Sequence, residues 1–516
     1  MAVPTLSPCS LPARNPLRSF WLCEPSELAD HRTTGQLPRK ADVIIIGSGI
    51  AGTLTAYNLL QREPHLNILM LEAREVCGGA TGRNGGQIKT DPYIAYPGLK
   101  ERVGARKANE VLKFESSHLD LYKRLLDKEQ IPCDFHITTA FDLCLNDRMA
   151  EIGRNAFHER QRDWPEDMKA FLEIEGEEHL ERLSQAKDAR WGCAYKVGSV
   201  HPYKLVNGVL RRCFVLAKNG GGSFNLQTHT PVTHLDHSAD GWTAVTERGN
   251  VTAPKVVVCA NGYVSHLLPE FANKIIPLKG ACSALAIPPV QPATTPSNQV
   301  MRPLFTTYSL KHDEHDFDYM ISRQEFPKHI VVGGGHQAFD HDPLLTYGNA
   351  DDTSQMYVGF FAALSMSHLK DQADSLSPGT EAYFKAFMPK HFVNYPEPES
   401  RLAHLWTGVM GYSHDGIPYC GPVLDKPKGL YMMGGFSGRG MVRAYGTALA
   451  MAELLATPDD KADPLSVLVK AGLPEAFLLT RERLSKPVNL LAEDPSPGAD
   501  PLGSEAPVSD VARARL

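Results

Sequence analysis

Four consecutive apolar residues, Val43 to Ile46, interrupt the mixed polar pattern of the first forty positions and stop at Gly47. So short and unbroken an apolar run predicts a parallel strand buried on both faces. A helix-compatible stretch follows, and Asn67 to Leu71 then reads as a second buried strand ending at Glu72. Between Glu101 and Glu129, Val111, Leu112, Leu119, Tyr122, Leu125 and Leu126 recur at helical spacing. Phe135, Ile137, Thr139, Phe141, Leu143 and Leu145 then alternate with polar or small residues, the pattern of a half-buried strand in an antiparallel sheet. The charged stretch Met149 to Arg190 reads as largely helical. Lys255 to Ala260 is again a buried strand, closed by Asn261-Gly262-Tyr263, which marks a return to the first sheet. Strands expected at Ala281 to Ile287, Tyr319 to Ser322 and Ile330 to Val332 leave that sheet once more. Gly429 to Met433 is the last buried strand, and Met441 to Leu455 is a helix of small and apolar residues.

Glycine gives the first pattern its chemistry. Gly47-Ser48-Gly49-Ile50-Ala51-Gly52 lies between the first strand and its helix, and Glu72 stands twenty residues past Gly52. This is the context in which Gly-x-Gly-x-x-Gly binds a dinucleotide. Gly47 permits the tight turn, Gly49 the approach of a pyrophosphate, and Gly52 the close packing of helix on sheet. The helix N-terminus attracts the phosphate charge. Glu72 is suited to ribose hydroxyls and would repel a 2′-phosphate; Ala73 follows it. A second glycine cluster, Gly78 to Gln87, contains Thr81, Gly82, Arg83, Asn84, Gly86 and Gln87 and reads as a cofactor contact. Near the end, Gly434-Gly435-Phe436-Ser437-Gly438-Arg439-Gly440 precedes Met441, again joining strand, glycine turn and helix start.

Composition then narrows the classes. The chain has 516 residues, enough for two or three domains, and a net charge of −6 gives no reason to expect nucleic acid. No apolar run approaches the ~20 residues of a membrane-spanning helix. The ten cysteines include no Cys-x-x-Cys pair, so they read as buried thiols in a reducing compartment. No metal site is expected. The cluster His312, Asp313, Glu314, His315, Asp316 and Asp318 reads as the solvated end of a hairpin. Phe20, Trp21 and Leu22 are placed to pin an N-terminal arm to the body. The chain ends Ala514-Arg515-Leu516, which resembles a peroxisomal address; otherwise a cytoplasmic location is expected.

The strand–glycine–helix at Val43, the acid at Glu72, the Gly79-to-Gln87 loop and the closing Gly434-to-Met441 motif resemble the D-amino-acid oxidase superfamily. Thr81 to Gln87, His414-Asp415-Gly416-Ile417-Pro418 and the turn at Asn261 and Gly262 are most similar to its γ-glutamylputrescine oxidase-like branch. The resemblance spans about Ala41 to Leu455. It implies an α/β (α+β overall) architecture: a Rossmann-like, glutathione-reductase-type FAD-binding domain carrying an inserted antiparallel-sheet substrate domain. The segments are then an arm (1–40), an FAD-binding domain (41–100, 195–274, 401–456), a substrate domain (101–194, 275–400) and a C-terminal extension (457–516), disordered from about 490. It also implies that Val232 contacts adenine and that Gly435 to Met441 cover the pyrimidine end of the flavin. The position two residues past Trp406 is Gly408, and the Gly79-to-Gln87 loop has no histidine, so the FAD is expected to be non-covalent. Wall candidates are Gln87, Tyr203, Arg323, Trp406 and His414, with Arg323 suited to a substrate carboxylate. Relatives with an oxygen-activating lysine carry it on the strand aligned with Ile330 to Val332, which has none here; Lys279 is a candidate substitute and His414 a second catalytic candidate. The expected reaction is oxidation of an amine or amino acid by hydride transfer to flavin N5, with the imine and hydrogen peroxide as products and molecular oxygen as acceptor. A dehydrogenase with another acceptor, and a non-catalytic flavoprotein, remain as alternatives.

Overall fold

In the computed structural model, the described residues are 7–286, 304, 306–313, 316–323, 329–335, 378–393, 395, 401–458 and 461–486. The extension beyond 486, with its terminal tripeptide, and Glu314 and His315 lie outside them.

Six strands form the first sheet: β1 (Val43–Ile46), β2 (Asn67–Leu71), β7 (Ser223–Gln227), β11 (Lys255–Val258), β17 (Tyr419–Pro422) and β18 (Leu430–Gly434). Their order is β17-β18-β11-β1-β2-β7, parallel except for β17. Ile44 and Ile45 are wholly inaccessible at its centre, as a strand covered on both faces requires. Burying each such side chain contributes about 1.5–3 kcal/mol. The helix Ile50–Arg62 covers one face and packs on the helix Ala444–Ala456, whose alanines permit close approach. A three-stranded sheet, β8 (Val232–Ser238), β9 (Gly241–Thr246) and β10 (Gly249–Ala253), lies between β7 and β11 in the chain.

The second large sheet has nine strands. These are β3 (Gln87–Ile88), β4 (His136–Cys144), β5 (Leu172–Glu175), β6 (Trp191–Ser199), β12 (Ile275–Ala286), β13 (Thr307–Lys311), β14 (Phe317–Ser322), β15 (His329–Gly334) and β16 (Arg401–Ser413). Its order is β16-β12-β15-β14-β13-β4-β6-β3, with β5 beside β6. The expected antiparallel pattern has one exception: β13 runs parallel to β4, Thr307 opposite Ala140. The chain reaches β13 by a long excursion through the first sheet rather than by a hairpin, so the antiparallel constraint is absent.

Two segments expected in the nucleotide domain sit instead in this sheet. Residues 195–199 belong to β6, which pairs with β4, and 401–413 form β16, paired with β12 along its length. The hairpin expected to be solvated is also covered. Asp318 is 0% exposed because the helix Pro378–His391 closes over that face. The arm, by contrast, is pinned as expected: Trp21 and Leu22 are each 1% exposed.

Candidate cofactor site

The turn after β1 has room for backbone only. Gly47 has φ +108°, and a β-carbon there would lie 2.9 Å from the Cys259 carbonyl oxygen. A β-carbon on Gly52 would lie 2.1 Å from the Gly47 oxygen, so helix and turn meet without a side chain between them. Gly49 caps the helix, whose next amide, of Ile50, donates to Thr81 Oγ1 at 3.1 Å; Ala51 follows in the first turn. Glu72 ends β2. Its Oε2 accepts from the Ser48 amide at 2.9 Å and hydroxyl at 2.7 Å, and its Oε1 from the Arg74 amide at 2.9 Å. A carboxylate offers about four acceptor positions, so holding both hydroxyls of a ribose requires the Ser48 hydroxyl to turn away. Val232 begins β8 in the apolar cluster with Ile46 and Leu71.

The second glycine loop is built against this turn. Ala80–Arg83 form a 3-10 turn, and a β-carbon on Gly82 would lie 2.2 Å from the Cys77 oxygen. Arg83, read as a cofactor ligand, uses its guanidinium as a strut: it donates to Gly78 O at 2.8 Å, Leu17 O at 2.6 Å and Thr407 O at 2.9 Å. Asn84 Oδ1 accepts from the Gly86 amide at 2.8 Å, and Gln87 donates to the Met320 oxygen at 3.1 Å and to Thr307 Oγ1. The arm clamps the loop from outside, with Trp21 Nε1 donating to Asn84 O at 2.6 Å and the Ser19 hydroxyl to Gly82 O.

The third segment closes the cradle. Asn261, at φ +47°, accepts on Oδ1 from the amides of Gly435 (3.0 Å) and Phe436 (3.3 Å). A β-carbon on Gly262 would lie 2.7 Å from Met410 O. The Ser437 amide donates to Gly411 O at 2.8 Å. Gly438 is exposed at the turn, with the Tyr412 hydroxyl 2.9 Å from where a side chain would start. Arg439 pairs with Asp91 at 2.7 Å, and Arg443 with Glu115 at 2.7 Å, the latter two wholly buried. Burial pushes the Asp91 carboxyl up, but Arg439, Lys311 and Lys89 outweigh it and hold it below its ordinary value. Gly440 and Met441 start the 3-10 turn Gly440–Val442 that leads into the helix Ala444–Ala456.

Tyr319, Cys282, Met410 and Tyr412 form the sheet wall facing these loops, and motif reading missed all four. Tyr319 shares a hydrogen bond with Cys282 Sγ at 2.9 Å, and its ring lies 2.6 Å from where a Gly85 side chain would start. The available signal was alternation: Trp406, Gly408, Met410 and Tyr412 share one face of β16.

The substrate candidates fare differently. Trp406 is on that face but fully buried, its indole donating to Arg83 O at 2.8 Å. Lys279 is buried at 2% exposure; its neighbour Gly280 faces Met410, so alternation turns Lys279 to the opposite face. Tyr203 bonds the Ser26 amide at 3.0 Å and lines a cavity of about 220 Å³ beneath the arm, with His201 and Arg211. Arg323 is 4% exposed, donates to Ser199 Oγ at 3.0 Å, pairs with Asp134 at 3.4 Å and lies over the Trp21 ring. His414 bonds the Tyr419 hydroxyl at 3.0 Å beside the Asp415–Arg483 pair. Burial, against the pull of Asp415, brings its pKa down to about 4, so it stays neutral. Tyr203, Arg323 and His414 reach packed polar clusters, although the His414 Nε2 is buried with no hydrogen-bond partner among the described residues.

Glycine positions that admit no side chain, a helix start aimed at the turn and an acid on the next strand fit FAD. Gly47, Gly49 and Gly52 would hold its pyrophosphate, Glu72 its ribose, and the Asn84-to-Gln87 and Gly435-to-Gly440 backbones its ring system.

The sequence profile of the FAD dependent oxidoreductase family, DAO, matches residues 42–454. Among curated proteins, the chain is 23% identical to the gamma-glutamylputrescine oxidoreductase of Escherichia coli over 439 residues, 84% of this chain and 88% of that one. It is also 23% identical to the probable oxidoreductase OrdL of Rhizobium meliloti, again over 84% of this chain and 88% of the relative. Among solved structures, L-amino acid deaminase from Proteus myxofaciens, in complex with anthranilate, shares the fold with a TM-score of 0.62 at 17% identity, over 93% of this chain and 100% of that one. Glycine oxidase from Geobacillus kaustophilus does so with a TM-score of 0.55 at 17% identity, over 83% and 97%. Three separated backbone segments meeting in one cradle, and a profile match across four-fifths of the chain, place it in the family of FAD-dependent oxidoreductases.

Proposed function

We propose that this protein is an oxidase of an amine or amino acid that holds FAD without a covalent bond. The observation that carries the reading is the convergence of the Asn84–Gln87 loop and the Gly435–Gly440 turn on Tyr319 and Tyr412 of the wall. The names of its relatives support the substrate class, since they include an oxidoreductase of gamma-glutamylputrescine and a glycine oxidase. When bound, the flavin supplies a hydride acceptor for the carbon that carries nitrogen.

The chain supplies position and polarity. Tyr319 and Tyr412 wall the space with rings that exclude water and with hydroxyls that orient a polar substrate. Burial pushes the Tyr319 hydroxyl well above its ordinary range, so it stays protonated and acts as a hydrogen-bond donor. No acid–base pair is needed, because a neutral amine stabilises the positive charge left as hydride departs; orientation provides most of the acceleration. The Arg439–Asp91 and Arg443–Glu115 pairs hold the closing turn rigid. The loop supports non-covalent attachment, since it offers neither His nor Cys between Thr81 and Gln87.

A second reading is a dehydrogenase with another electron acceptor. It is favoured by the orientation of Lys279, on the face of β12 opposite Gly280. Mixing the purified yellow protein with an amine and amino-acid panel under nitrogen, then admitting air, tests both. Bleaching followed by rapid recolouring and peroxide supports the oxidase. Bleaching that persists in air selects the dehydrogenase, and no bleaching with any compound removes both. Acid precipitation is expected to release all the flavin into the supernatant; yellow colour in the pellet would overturn the non-covalent assignment.

A further inference from the structure

Behind the wall, on the face of the nine-stranded sheet that carries the helix Pro378–His391, three ligating side chains meet: His312, Asp318 and His391. One ligating atom from each lies within 4.8 Å of the other two. The first two come from the β13–β14 hairpin and the third from the last residue of the covering helix. Asp318 is fully buried and the His312 side chain is 9% exposed. His391 is 5% exposed, and its Nε2 is buried with no hydrogen-bond partner among the described residues. Buried polar atoms left unpaired are rare in folded proteins and call for an explanation.

The carboxylate is oriented as if for a ligand. Asp318 Oδ1 accepts from the Gly335 amide at 2.7 Å; Oδ2 accepts from His312 Nε2 at 2.7 Å and from the Tyr383 hydroxyl. Carboxylates that bind metals are held by outer hydrogen bonds of this kind. The His312 main chain is fixed too, its carbonyl accepting from Asn146 Nδ2 at 2.6 Å. Two imidazoles and one carboxylate form a donor set for borderline divalent ions, with bonds of about 2.0–2.2 Å that place donors roughly 3–4 Å apart. Closing from the present spread requires the donor atoms to move by on the order of 1 Å.

We propose that His312, Asp318 and His391 form a three-donor site for a divalent transition metal of the zinc class, which ties the β13–β14 hairpin to the end of the covering helix. On binding, the His312 ring takes the tautomer with its proton on Nδ1, and the metal takes the freed Nε2 and the Asp318 Oδ2. Tyr319, the next residue, points to the opposite face. The ion is therefore structural, separated by the sheet from the redox chemistry, and it steadies the strand that carries the wall tyrosine.

The test uses the full-length, flavin-loaded protein without an affinity tag, stripped by a chelator and titrated with zinc chloride. Expected are one zinc per chain, a rise of several degrees in the midpoint of thermal unfolding, and slowed hydrogen exchange in peptides covering 307–323 and 378–393. His391→Gln and His312→Gln are expected to weaken zinc binding at least ~10-fold while the flavin spectrum stays unchanged. Less than one zinc per chain, or parental affinity in both variants, overturns the site. Should either variant lose flavin, the exchange map of the parent decides: protection elsewhere in the chain overturns the site, and protection confined to those two segments sustains it.

Discussion

The two large sheets meet at the flavin cradle but build it in different ways. The six-stranded sheet contributes backbone: Gly47, Gly49 and Gly52 act through what they lack, and the groups of this first turn, up to Glu72, lie within thirty residues of β1. The nine-stranded sheet contributes side chains, and Cys282, Tyr319, Met410 and Tyr412 come from β12, β14 and β16. A site made of backbone tolerates almost no substitution, because a β-carbon has nowhere to go. A wall made of side chains tolerates change at each position and trades it for specificity. Binding of the cofactor is thus fixed, and choice of substrate is adjustable.

Gly52→Val breaks the first half most severely. The added atoms meet the Gly47 oxygen, so we expect insoluble or colourless protein, read as loss of flavin absorbance per chain. Glu115→Gln comes next. It leaves Arg443 buried without its countercharge, which costs about 3–5 kcal/mol, measured by denaturant unfolding of the flavin-loaded protein.

Acid acts on the joint between the halves through His118. Its Nδ1 faces Phe114 O at 2.8 Å and its Nε2 accepts from the Gly446 amide at 3.0 Å, and burial brings its pKa from 6.5 down to about 4. The unfolded chain takes up a proton below pH 6.5 that the folded one refuses, so stability falls as the pH drops from 6.5 towards 4 and is level above. The loss attributable to this group is on the order of 3 kcal/mol, and His118→Gln should flatten that slope. Tyr319→Phe addresses the wall: it should leave flavin content unchanged, cost about 1 kcal/mol of stability and shift kcat/KM among substrates. If Tyr203→Phe, beneath the arm, shifted kcat/KM as much as Tyr319→Phe, the division between wall and packing would fail.

The backbone half was legible in the sequence because the requirements within each of its segments are contiguous. A glycine forced by a neighbouring carbonyl recurs at fixed spacing, and Val43 to Ile46 can be only one kind of strand. The wall was not legible, since alternation along β16 shows which residues share a face but not which sheet the strand joins. Residues 401–413 read as nucleotide-domain sequence for that reason. Arg323 and His414 looked like site residues because they are polar and sit beside strands. In the structure Asp134 and Ser199 claim the first and Tyr419 the second, partners that lie 189, 124 and 5 residues away. Asp318 was misread because the helix that covers it begins sixty residues later.

The arm that clamps the second glycine loop has a consequence for biosynthesis. The Phe20 ring rests on His329 and His404 at 4.9 and 5.7 Å. Phe20 therefore waits until His404, 384 residues further on, has left the ribosome before it can dock in full. Until then the glycine loop has no outer clasp, so newly made chains should take up flavin only late in synthesis, and a bulky fusion ahead of Ser19 should delay that uptake more than one behind Ser485.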